Sequence, residues 1–309
     1  MTSHQMPHLD LIDKKILTIL SGDCRTPYRE IAKSLGLSVT TIKSRVDELM
    51  GAGIITDFIV EFTPAMIDSE IMLVWVVTDS KENQEQFVQE IAKTRGIGQI
   101  IPFYGGDYLI FLEYRNSHEL SKISMAIKSN PHVNSTEMHT LMVPLGQKTE
   151  LSNLHLRVLK ELLTNARMEI SDIARRSGLT VRIVRRTLRE LKECEAIRFS
   201  MRFRPNVGNR LTFLIKLRWD PKQTDNDEII ELLVKDYPDE FWNLSSSASD
   251  SFLIGVAVVD NLNYMDSMTT KIRSIPSVIH AEAFIYRPPY NYKSLRRLCL
   301  EEAIEAAGI

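Results

Sequence analysis

One helical skeleton occurs twice in this chain, 142 residues apart. Ile31 to Leu49 reads IAKSLGLSVTTIKSRVDEL, and Ile173 to Leu191 reads IARRSGLTVRIVRRTLREL. Isoleucine, alanine, glycine, leucine, valine, glutamate and leucine keep their places. A repeat at that distance in 309 residues points to two like units joined in tandem. The copies differ in charge, because the later stretch carries six arginines and the earlier one only one.

The repeat extends on both sides. Each copy opens on an apolar stripe at helical spacing: Leu9, Ile12, Ile16, Leu17 and Leu20, then Leu151, Leu154, Val158, Leu159 and Leu162. A second helix follows. In the first copy Thr26 is the expected N-cap and Pro27 suits the first helical position, where its missing N–H costs nothing. Met168-Glu169 takes those places in the second copy. Gly36-Leu37-Ser38 and Gly178-Leu179-Thr180 then end one helix and cap the next. The third helix is expected to turn Val39, Ile42, Val46 and Leu49 inward, and Val181, Val184, Leu188 and Leu191 in the other copy. Three helices around this turn make a helix-turn-helix.

Behind each tri-helical segment the pattern becomes extended. Ile54–Phe62 and Ile197–Phe203 end at Pro64 and Pro205. A strand comes next (Ile71–Thr78, Leu211–Trp219), then a polar helix (about 83–95 and 226–236) and two strands around a turn. A helix (about 119–129 and 262–274) and a last strand (Val133–Val143, Val278–Tyr286) complete the set. The order β-α-β-β-α-β predicts a ferredoxin-like domain. The fold class is thus α+β, with two tandem units, each a winged, tri-helical helix-turn-helix followed by a ferredoxin-like βαββαβ domain. The expected domains are 1–64 and 147–207 for the helix-turn-helices, and 65–146 and 208–309 for the α+β parts. The last includes one amphipathic helix within Asn291–Ala307.

Charge is distributed unevenly. The net charge is only −2, yet residues 151–210 hold fourteen Lys and Arg against six Asp and Glu. A local excess of that kind marks a surface for an anionic partner. No run of eighteen apolar residues suggests a membrane span, and MTSHQMPHLD lacks the features of a secretory signal. Cys24, Cys194 and Cys299 fit a reducing cytoplasm. No His spacing of HExxH type, P-loop, G-x-S-x-G or paired CxxC occurs, so neither metal, cofactor nor catalysis is expected.

LDLIDKKILTIL and DCRTPYREIAKSLGLSVTTIKSRVDELMGAGII resemble the N-terminal domain of the Lrp/AsnC (feast/famine) transcriptional regulators. The α+β domains resemble the effector-sensing, oligomerising domain of that family. The second copy, with LHLRVLKELL, keeps the skeleton without the paired aspartates. The usual member carries one copy, so covalent duplication is the departure. The resemblance implies binding of double-stranded DNA and pairing through the sheets, either between the two halves of one chain or between two chains, and a homodimer of the fused chain is the expected arrangement.

The expected DNA-binding residues lie on the third helices and beside them. In the first copy they are Ser38, Thr40, Thr41, Lys43, Ser44 and Arg45, although Arg45 could equally hold the fold's own acidic groups. In the second they are Thr180, Arg182, Arg185, Arg186 and Arg189. Arginine is suited to phosphates and guanine edges because its fork donates two parallel hydrogen bonds. Arg175 and Arg176 on the second helix, and Arg202 and Arg204 on the extended segment, are expected at phosphates, together with Arg198 and Arg210. Gly105, Gly106 and Asp107 in FYGGDYLIFLEY resemble the family's effector turn, which would take an amino acid or another small molecule. Their local alternative is a tight hairpin. The copy-two turn SSSASDSFLIGV keeps only Asp250. A second resemblance, to the fused sirohaem decarboxylases, supplies the enzymatic alternative.

Overall fold

A computed structural model describes residues 9–204, 210–285 and 287–309. The first copy runs through α1 (Leu11–Gly22), α2 (Tyr28–Leu35), α3 (Val39–Gly51), β1 (Ile55–Phe62), β2 (Glu70–Thr78), α4 (Gln84–Ala92), β3 (Ile97–Pro102), β4 (Tyr108–Tyr114), α5 (Ser117–Lys128) and β5 (Val133–Thr140). The second runs through α6 (Asn153–Leu162), α7 (Ile170–Ser177), α8 (Val181–Glu193), β6 (Ile197–Phe203), β7 (Leu211–Trp219), α9 (Asn226–Asp236), β8 (Phe241–Ser246), β9 (Phe252–Val259), α10 (Leu262–Arg273) and β10 (Val278–Ile285). A short strand β11 (Tyr290–Asn291) and helix α11 (Leu295–Ala306) follow. Pro205 and Tyr286 lie outside the described residues.

The chain divides into two compact units, and each takes material from both copies. One gathers Met1–Ser69, Pro144–Val207 and Arg296–Ile309, and the other gathers Glu70–Val143 and Gly208–Leu295.

In the first unit the helix starts are chemically defined. Asp10 and Asp13 form a reciprocal capping box on α1, at 2.8 and 3.1 Å, and Ser152 and His155 repeat it on α6. The start of α2 differs from expectation, because Pro27 occupies the cap and the Thr26 hydroxyl donates back to Asp23 O. Gly36 and Gly178 end their helices at φ +66 and +68, a conformation that a Cβ would strain. Ile42, Val46 and Leu49 are buried, as are Val184, Leu188 and Leu191. Val39 and Val181 are not inner residues, at 47% and 43% exposed. Each opens its helix, where the Cα–Cβ bond tilts past the helix end.

β1 pairs antiparallel with β6, so the two helix-turn-helices share one ribbon. Ile59 faces Ser200 at its centre, and a bulge at Ile55/Asp57 adds one residue to β1. The bulge lowers the repeat offset from 142 in the helices to 141 along the ribbon, and the contacts between the copies are reciprocal. Arg25 Nη1 donates to Ala166 O and Met168 O, at 2.6 and 3.2 Å. Its equivalent, Arg167, donates to Cys24 O and Thr26 O. Cys24 N donates to Phe199 O, while Ala166 N donates to Phe58 O. These paired bonds are the signature of an isologous contact, formed here between two halves of one chain. In α11, Arg296 meets the buried Glu61 at 2.8 Å, and Arg297 donates to Val60 O and Leu163 O.

The second unit holds two antiparallel sheets, β11-β3-β4-β2-β5 and β10-β7-β9-β8. Each has its own core beneath its helices: Val74, Phe87, Ile110 and Ile127 in one, Ile215, Leu233, Ala257 and Ile272 in the other. A third cluster joins the opposite faces through Leu73, Trp75, Phe103, Leu109, Leu214, Phe252 and Ile254. The last strand of the first copy stops at Thr140 and not at Val143. Leu141 bridges Ser247 and Met142 N donates to Ser246 O, so the chain there pairs with the other copy. The tail is also more than a helix, because β11 adds a strand to the first sheet beside β3.

Candidate nucleic-acid interface

The third helices carry the outward chemistry. Ser38 Oγ caps α3 by accepting from Thr41 N at 3.0 Å, and it contacts the hydroxyls of Thr40 and Thr41 at 2.7 and 2.8 Å. Thr180 Oγ1 caps α8 from Ile183 N at 3.3 Å. Ser38 and Thr180 therefore hold helix starts in place while remaining exposed. Thr40, Thr41, Lys43 and Ser44 are exposed along α3, and Ser44 Oγ donates to Glu48 at 2.9 Å.

Arg45 does not stand free. Its Nη1 bonds Asp10 Oδ2 and Asp13 Oδ1, both at 2.8 Å. Burial pushes the Asp13 carboxyl up despite those bonds, and at Asp10 the bonds from Asp13 N–H and Arg45 outweigh burial and hold it down. Arg45 is a strut from α3 to the start of α1. Its counterpart in the second copy is Thr187, fully buried, and the two aspartates are replaced by Ser152 and His155.

On α8 the four arginines are exposed. Arg182 and Arg185 form no ion pair among the described residues. Arg186 Nε meets Glu190 at 2.7 Å, an exposed i,i+4 pair, and Arg189 lies 3.9 Å from Glu193. Beside the helix, Arg175 reaches Asp172 at 2.6 Å and Arg176 is exposed. Lys192 pairs with Asp23 at 2.7 Å.

The extended segment behaves differently from a free basic arm. Arg202 is half-buried opposite Asp57, and Arg198 lies opposite Glu61, because β6 is paired along its length with β1. Arg204 is exposed, with its backbone N–H bonded to Ile54 O. Arg210 pairs with Asp260 at 3.0 Å in the other unit.

The glycine turn of the first copy is closed by its own neighbours. Gly106 sits at φ +91, where an added Cβ would collide with Ser80 Oγ. Thr78 donates to Gly106 O at 2.7 Å, and Ser80 donates to Gly105 O at 3.2 Å. Asp107 Oδ2 accepts from Trp75 Nε1 at 3.1 Å, and burial pushes its carboxyl up. At the matching place in the second copy, Asp250 meets His139 Nδ1 at 3.0 Å. His139 is 2% exposed, stacks on Phe252 and bonds Glu137 through its other nitrogen at 3.0 Å. Lys216 and Arg218 also reach Glu137. No sequence motif announces this cluster, since its residues come from three separated strands and a turn.

A sequence profile described as winged helix-turn-helix DNA-binding matches residues 9–56 and 151–198. The HTH-type transcriptional regulator FL11 of Pyrococcus horikoshii is 32% identical over 136 residues, covering 44% of this chain and 89% of that protein. The regulatory protein AsnC of Haemophilus influenzae is 31% identical over 111 residues, covering 35% of this chain and 72% of that protein. Among solved structures, the siroheme decarboxylase NirDL matches 96% of this chain and all of its own, with a TM-score of 0.58 and 12% identity. That likeness is one of fold, two fused copies included, and carries no chemistry across. With two profile matches, regulators aligned over most of their length and the tri-helical geometry in both copies, the chain belongs to the Lrp/AsnC family of helix-turn-helix transcriptional regulators.

Proposed function

We propose that the chain is a cytoplasmic, sequence-specific regulator that holds duplex DNA through α3 and α8. The observation that carries this reading is the outer face of α8. Arg182 and Arg185 stand exposed, without acidic partners among the described residues, on the helix that this motif lays in the major groove. Lys43, Thr40, Thr41 and Ser44 on α3 are the matching contacts of the first copy. Arg175, Arg176, Arg186, Arg189 and Arg204 add phosphate contacts, and Arg45 acts through the fold. Residues 1–64 and 147–207 form the DNA-binding part in this scheme, and 65–146 and 208–309 the pairing part.

Duplex binding across a salt series tests it. The variant Arg182→Ala/Arg185→Ala is expected to bind more weakly and to lower the log–log salt slope by about one for each arginine taken away from a phosphate. Equal affinity and slope for wild type and variant would remove α8 from the interface. An amino-acid effector at Gly105, Gly106 and Asp107 would have to exchange with the Trp75 bond to Asp107. Quenching or release of fluorescence on titrating amino acids, present in the wild type and lost in Trp75→Phe while Trp219 and Trp242 remain, reads that exchange. A tetrapyrrole absorption band in the purified protein would favour the decarboxylase alternative over the regulator.

A further inference from the structure

We infer that the DNA target is a two-part, non-palindromic duplex and that the chain sits on it in one orientation only. This rests on the DNA-binding reading and sharpens it. The reciprocal bonds of Arg25 and Arg167, and the β1–β6 ribbon centred on Ile59 and Ser200, relate the two helix-turn-helices as two chains of a dimer would be related. A frame of that kind would present identical surfaces to an inverted repeat if the copies were chemically equal.

They are unequal at the surface positions that matter. Thr40, Lys43, Ser44 and Asp47 are exposed on α3, and Arg182, Arg185, Arg186 and Arg189 take the same four places on α8. One set sums to zero charge and the other to four positive charges. The remaining arginine of α3 does not redress the balance, because Asp10 and Asp13 hold it against the body of the domain. The helix frames are alike: both are capped by a hydroxyl, both follow a left-handed glycine, and both bury the same inner positions. Apart from the Arg45 strut, whose place is taken by the buried Thr187, the difference lies in what faces outward.

Each face fits a different base chemistry. Arginine forks on α8 match the O6 and N7 acceptors of guanine, and the surrounding positive charge matches close phosphates. On α3 a carboxylate stands where α8 has Arg189. Asp47 accepts from the amino group of cytosine and is repelled by phosphate, while Lys43 donates to base or phosphate acceptors and the hydroxyls can do either. The target therefore has a guanine-bearing half under α8 and a half read through amino groups under α3. A single chain with two unlike reading heads fixes the direction in which it lies, which a symmetric dimer does not do.

Selection of bound duplexes from a random library by the full chain, followed by sequencing, tests the inference. The expected motif has two unlike halves, one of them guanine-rich. Arg185→Ala should weaken binding to the selected site by about ten- to hundredfold and relax base preference in the guanine-rich half alone. Asp47→Ala should relax the other half alone. Both side chains are exposed and outside the capping bonds, so unchanged thermal unfolding identifies folded variants. A motif with two equivalent halves, or variants that relax both halves alike, would overturn the inference and leave the DNA-binding reading standing. Recovery of no preferred duplex at all would instead sink both.

Discussion

The carboxylate of Glu137 receives Lys216, Arg218 and the Nε2 of His139. Burial pushes its proton affinity up, but the three bonds together pull it below the ordinary 4.5, to about 2. A carboxyl whose folded value is depressed stabilises the fold above its unfolded value and loses that contribution as pH falls through the folded one. The window here is pH 4.5 down to about 2. A full shift of this size corresponds to roughly 3 kcal/mol, and solvent screening of a carboxylate one-third exposed brings the expectation to about 1–2 kcal/mol. Glu137→Gln should destabilise the protein by that amount at pH 7. It should also flatten the decline of stability between pH 4.5 and 2, read by denaturant unfolding at stepped pH. A decline as steep in the variant as in wild type would show that the cluster does not drive it. The same scale shows where sequence stops speaking. The destination of Arg45 is settled by aspartates 35 and 32 residues away, and nothing local to α3 distinguishes an arginine reaching out from one reaching back.

Helices and strands were legible because their cause is local. Alternating and 3.6-residue patterns place β6, β7, α9 and α10 where the sequence implies them, within a residue or so at the ends. What is missing is whatever depends on the second copy. β5 ends early because the chain turns to the other copy there, Leu141 still bonding Ile71 O while bridging Ser247 and Met142 N donating to Ser246 O, and β11 forms on the edge that β3 offers. The ribbon β1–β6 is the main example. Read alone, the arginines of β6 look like a free basic arm. Paired, Arg202 stands opposite Asp57 and Arg198 opposite Glu61, so in the register of the ribbon each base of one copy is set across from an acid of the other. Pairing two first copies in the same register would set Asp57 against Glu61, and two second copies would set Arg198 against Arg202. Opposite charges across a ladder add about 0.2–1 kcal/mol each and like charges subtract a similar amount. Asp57→Arg should therefore destabilise the protein by about 0.5–1 kcal/mol, and Arg202→Asp in the same chain should restore most of it. A double-mutant cycle of thermal or denaturant unfolding measures the coupling. Strict additivity of the two losses would show that the cross-strand charges do not interact.

At the scale of the whole molecule, the two copies are complementary halves more than repeats. The ribbon charges favour unlike partners. Glu61 of the first copy is neutralised by Arg296 from the chain's end, and the first sheet is completed by Tyr290 and Asn291. The apolar faces around Trp75 and Phe252 bury each other, at roughly 25 cal/mol for each Å² withdrawn from water. Residues 1–146 made alone lack the strand, the Arg296 partner and the opposite-charged ribbon, while 147–309 made alone leave Phe252 and Ile254 uncovered. Co-expressed as two polypeptides, they are expected to assemble one to one, and native mass spectrometry should show the mixed pair well in excess of either like pair. Opposed charges at two ribbon positions amount to about 1–3 kcal/mol between mixed and like pairing, hence a preference of about ten- to hundredfold before the strand and Arg296 are counted. A statistical mixture of the three species would mean that the halves are interchangeable, and that covalent linkage alone keeps them together. A dominant mixed pair that shifts toward the statistical mixture when the charges of Asp57 and Arg202 are reversed singly would place part of the partner choice in the ribbon, at the positions where the two copies have exchanged acid for base.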